Sequence, residues 1–62
     1  MKRVWLSLIC CQMWDVEEGS PEDAEAQRKG MVQVPRKDVE AVRDMTLVGR
    51  RRWGLEHGRE LP

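Results

Sequence analysis

A chain of 62 residues holds one domain at most, and a core of that size rarely yields more than about 3–5 kcal/mol of stability. Its 11 basic and 11 acidic side chains cancel to a net charge of zero, and the acidic half would repel a polyanion, so a nucleic-acid partner is not expected. Catalysis is not expected either. Ser7, Ser20, Cys10, Cys11 and His57 lie on separate segments, and no substantial core would hold them in the fixed geometry an active site needs.

The block from Val4 to Trp14 is broken only by Ser7 and Gln12 and is the one hydrophobic run in the chain. It lacks the clean alternation of a half-buried strand, which favours a helix at 4–14. At 1.5 Å per residue such a helix reaches about 16 Å, too short to span a bilayer of about 30 Å. Lys2 and Arg3 precede the block and Ala24-Glu25-Ala26 follows it, as in a secretory signal, but the residues between are too acidic for that pattern.

Ser20-Pro21-Glu22-Asp23 has the chemistry of a helix start: a hydroxyl to cap free amides, proline in the first turn, and acids at the positive end of the dipole. Arg28, Lys29 and Gly30 supply the stop, which predicts a helix over 21–29. Its apolar residues, Ala24 and Ala26, fall on different faces, so nothing obvious drives it onto a core. Met31 to Val34 alternates as a short strand without an evident mate. Beyond Pro35, the stripe of Val39, Val42 and Met45 predicts an amphipathic helix over 36–48, with Gly49 as its stop. Gly54, Gly58 and Pro62 then punctuate a flexible C-terminal tail. The fold expectation is a mostly α, partly disordered chain: two or three short helices, at about 4–14, 21–29 and 36–48, in a single marginally stable unit.

Charge is sorted along this unit. The acidic segment, 15–25, carries Asp15, Glu17, Glu18, Glu22, Asp23 and Glu25 and no base, while the segment 28–59 has an excess of bases. An acidic half could cover a basic half until a partner displaces it. Arg36-Lys37 and Arg50-Arg51-Arg52 have the spacing of a bipartite nuclear-import signal, although Asp38, Glu40 and Asp44 sit in the spacer. Ser20, followed by proline and by Asp23, is a candidate phosphorylation site. Adjacent Cys10 and Cys11 cannot form a long-range disulfide framework, and with a lone His57 they make no zinc site, so no metal or cofactor is expected.

These features point to a microprotein: a small, non-enzymatic, regulatory interaction protein that binds a protein partner. The partner-binding residues would be Val4, Trp5, Leu6, Leu8, Ile9 and Trp14 of the N-terminal block, with Val39, Val42 and Met45 of the amphipathic helix. Its expected location is intracellular, in cytoplasm or nucleus. A membrane-interface peptide is the alternative, with Trp5 and Trp14 near the two ends of an apolar helix and the cysteines open to acylation. A secreted peptide precursor and a translated reading frame without selected function are further alternatives. No small-molecule substrate is indicated.

Overall fold

The computed structural model describes residues 1–58. In chain order these form β1 (Lys2–Leu6), β2 (Met13–Glu17), α1 (Pro21–Arg28), β3 (Val32–Val34), a one-turn 3-10 helix (Arg36–Asp38), α2 (Val39–Asp44) and α3 (Leu47–Gly58). The expectation of a mostly α, partly disordered chain is overturned by a three-stranded antiparallel sheet of order β2-β1-β3, with helices packed on both of its faces. The stretch expected as a flexible tail is largely α3; its last four residues, 59–62, lie outside the described residues.

The expected helix at 4–14 is instead a β-hairpin. Arg3 and Trp5 point to one face of β1 and Val4 and Leu6 to the other, and both faces are covered, so the strand carries bulky apolar residues at successive positions. That continuity hides the alternation by which strands are read. The register sets Trp5 opposite Trp14, Leu6 opposite Met13 and Lys2 opposite Glu17, two apolar pairs and one of opposite charge. The connection is built without glycine. The Ser7 hydroxyl accepts from the amides of Ile9 (3.3 Å) and Cys10 (3.4 Å), the Cys11 amide donates to the Ser7 carbonyl (3.0 Å), and Cys11 takes the left-handed conformation at φ 61°.

β3 finds its mate in β1, with Val34 opposite Val4 and Val32 opposite Leu6. Because β2 and β3 both run antiparallel to the strand between them, they are parallel to each other. The connection β2–α1–β3 is therefore a split β-α-β unit, with β1 inserted at its centre.

α1 begins where its cap chemistry dictates: the Ser20 hydroxyl accepts the Asp23 amide at 3.2 Å, and Pro21 occupies the first turn. It ends at Arg28, one residue short of the expected 21–29, and Gly30 follows at φ 74°. Contrary to expectation it does bury a face. Ala26 is fully buried against Trp5, Val16 and Met31, the small side chain letting the helix approach the sheet closely.

The helix expected over 36–48 is broken in two places, into the 3-10 turn, α2, and the start of α3 after Met45-Thr46. Thr46 caps α3 by accepting the Gly49 amide at 3.1 Å, so Gly49 lies inside a helix instead of ending one. The stripe of Val39, Val42 and Met45 covers Leu6, Val34, Val4 and Met13 on the second face of the sheet, with Trp53 of α3 beside it.

Candidate functional site

The residues expected to bind a partner are mostly spent on the chain's own interior. Trp5, Leu6 and Val42 are buried, while Val4, Trp14, Val39 and Met45 are partly buried against the two core clusters. Trp5 and Trp14, expected near opposite ends of one helix, are cross-strand neighbours. Leu8 is half-buried, with its Cδ2 under Gly54, and Ile9 stands 94% exposed at the hairpin tip.

The basic residues divide in the same way. Arg50 is a clamp. Its Nε donates to the Val42 carbonyl (3.1 Å), Nη2 to the Arg43 carbonyl (2.7 Å) and Nη1 to the Cys11 carbonyl (3.1 Å), which ties the end of α2 to the hairpin loop. These charge-assisted bonds add to the Met45 amide, which donates to the Val42 carbonyl at 3.1 Å, in closing the end of α2. Arg36, Lys37, Arg51 and Arg52 are exposed, and α2 occupies part of the spacer between the two clusters. The acidic segment turns elsewhere. Glu18 and Asp23 both pair with Arg3, at 2.6 and 3.0 Å, and Asp15 lies 3.8 Å from Arg43. Among the described residues no acid pairs with Arg50, Arg51 or Arg52, so the acidic cover expected over that cluster is not formed.

Asp23 is the buried acid of the described residues. Its Oδ1 accepts from the Trp5 indole at 2.7 Å, and its Oδ2 accepts from the Gly19 amide and Arg3 Nη1, both at 3.0 Å. The Gly19 amide, aided by Trp5 and Arg3, holds its carboxyl below the ordinary aspartate value against the opposing effect of burial. With its oxygens so occupied, this carboxylate serves to lock α1 onto β1. Ser20 caps the same helix, and its hydroxyl is engaged by the Asp23 amide.

Cys10 is exposed and Cys11 buried, both as free thiols. Hydrogen bonding from the Ser7 hydroxyl, then from the Gln12 backbone, lowers the Cys10 thiol from its ordinary value. The His57 ring stacks on Trp53 at 4.1 Å, and its Nδ1 lies 2.8 Å from the Trp53 carbonyl. Among the described residues no group of three or more His, Cys, Asp or Glu gathers where it could hold a metal ion, and every buried side-chain nitrogen and oxygen has a partner.

What remains open is the outer side of α3. Trp53 and Gly54 turn inward, while Leu47 (60%), Val48 (75%) and Leu55 (44%) stay exposed beside Arg51 and Arg52. Val48, Arg51, Arg52, Leu55 and Glu56 line a shallow groove of about 280 Å³. Leu55 joins it to a depression over Leu8, Met31 and Gly54, and Leu8 and Met31 continue into a larger concavity, about 660 Å³, beside Ile9, Trp14 and Lys29. The sequence reading missed Leu55 because it placed a stop at Gly49, and it kept Leu47 and Val48 inside the helix over 36–48 without singling them out. The signal was present: Thr46 in a capping position, with Val48 and Leu55 seven residues apart on one helical stripe.

No helix among the described residues is long and apolar enough to cross a membrane. Neither the family models, nor the curated proteins, nor the solved structures contain a match to this chain.

Proposed function

We propose that this chain is a small, non-enzymatic protein-binding module of regulatory type, which presents the outer face of α3 to a protein partner. The observation that supports the reading is the exposure of Val48 and Leu55 on a helix whose opposite side is anchored by Trp53 and Gly54. Apolar side chains held in water on a fixed helix lose roughly 25 cal/mol for every Å² left uncovered, and a partner that covers them recovers it. The setting we favour is the reducing interior of the cell, cytoplasm or nucleus, in keeping with two free cysteines.

Site-specific photo-crosslinking in cells tests the reading. A crosslinker at Val48 or Leu55 is expected to give a discrete protein adduct that is absent with the crosslinker at Glu22 on α1. Equal adduct patterns at all these positions, or none at Val48 and Leu55, would overturn it.

A further inference from the structure

The groove that runs from Val48 past Leu55 and Leu8 to Ile9 has an apolar floor and a mainly cationic rim. Arg51 and Arg52 stand at one end, and among the described residues neither takes part in an ion pair. Lys29 stands at the other, 5.1 Å above the Trp14 ring and 3.5 Å from Glu25. Glu56 is the carboxylate on this rim. We infer that the groove receives an amphipathic helix of a partner protein, one whose apolar stripe is bordered by Asp and Glu. This rests on the protein-binding reading above and adds the chemistry of the partner.

Charge and shape together select this occupant. In a twofold pairing of α3 with α3 of a second copy, Val48 and Leu55 lie to either side of Arg51 and Arg52, so the arginines of both copies meet at the axis. Like charges so placed oppose association. A lipid surface favours a protruding apolar face with tryptophan at its border. Here Trp14 and Trp53 are partly buried against the cores instead of bordering the exposed face, and the surface between Leu8, Trp14 and Met31 is a concavity. A helix laid into a groove uses both the apolar floor and the charged rim, and carboxylates along its borders meet Arg51 and Arg52 directly.

Two synthetic helical peptides with the same leucine stripe, one bordered by Glu and one by Lys, provide the probe; anisotropy of the labelled peptides reports binding to the full chain. The Glu-bordered peptide is expected to bind at least about tenfold more tightly than its Lys counterpart, with the difference shrinking as salt rises. Arg51→Glu with Arg52→Glu should reverse the order, Arg51→Gln with Arg52→Gln should erase it, and Val48→Ser with Leu55→Ser should weaken both peptides. Circular dichroism establishes that each variant is folded. Equal binding of the two peptides to the unaltered chain overturns the acidic partner while leaving the protein-binding module standing. Binding of neither peptide overturns the inference, as does sedimentation with phosphatidylserine vesicles or self-association that is lost on Val48→Ser with Leu55→Ser. Crosslinking at Val48 separately decides the fate of the module.

Discussion

Asp23 holds together three parts of the chain that are distant in sequence: the turn at Gly19, β1 through Arg3 and Trp5, and its own helix. Because its folded pKa lies below the ordinary 3.8, the charged form is favoured by folding. Its contribution is therefore complete above the ordinary value and is lost as pH falls through the depressed folded value. The thermal midpoint should accordingly drop as the pH falls below about 4. Asp23→Asn, which retains an acceptor for Trp5 but not the charge, should lower the midpoint at pH 7 and flatten this part of the curve. An unchanged acid profile in the variant would assign the acid sensitivity to other carboxylates. The pairing of Ser20 with Asp23 was legible in the sequence, since a helix cap is local. The bonds to Arg3 and Trp5 were not, because no local rule links residue 23 to residues 3 and 5.

At the scale of elements, α3 lies so close to the sheet that glycine at position 54 is a packing requirement. A Cβ there would sit 2.4 Å from Leu8 Cδ2 and 3.1 Å from Leu6 Cδ2. Leu8 is half-buried and can swing aside, whereas Leu6 is fully enclosed. Gly54→Val is therefore expected to cost about 1–3 kcal/mol, despite valine's better helix propensity. Leu8→Ala should recover part of the loss in Gly54→Ala, a coupling that a double-mutant cycle from urea titrations would measure. Additivity would show that the two positions do not touch. The same element exposes the limit of punctuation rules. Gly49, Gly54 and Gly58 look like breakers in sequence, yet all three are helical, because Thr46 caps the helix and packing of Trp53 and Gly54 onto the sheet outweighs a propensity cost of about 1 kcal/mol per glycine. The hairpin was hidden for the opposite reason: its loop has no Gly, Pro or Asn to announce it, and Cys11 takes the left-handed position.

For the molecule as a whole, β1 is shared by both cores: Trp5 belongs to the cluster under α1, and Leu6 to the cluster under α2 and α3. Sequence reasoning expected partial order because a chain this short rarely draws more than a few kcal/mol from a single core. A strand covered on both faces joins two small clusters into one cooperative unit. The radius of gyration, 10.7 Å, agrees with the roughly 10.6 Å of a folded chain of this length. A single melting transition, coincident in far- and near-ultraviolet circular dichroism, is therefore expected in place of a gradual loss of helix. Leu6→Ala should remove about 2–5 kcal/mol, comparable with the whole stability of so small a domain, and leave the chain largely unfolded. Two separate transitions would show that the faces fold independently. The sharing of β1 also orders events during synthesis. Leu6 is translated early, and the residues that enclose it, Val34, Val42 and Trp53, emerge progressively later. The hairpin and α1 can assemble on one side while the other side of the same strand is still bare. Until α3 has left the ribosome, the nascent chain shows a leucine and valine surface to solvent, and that surface is where a holding chaperone would make contact.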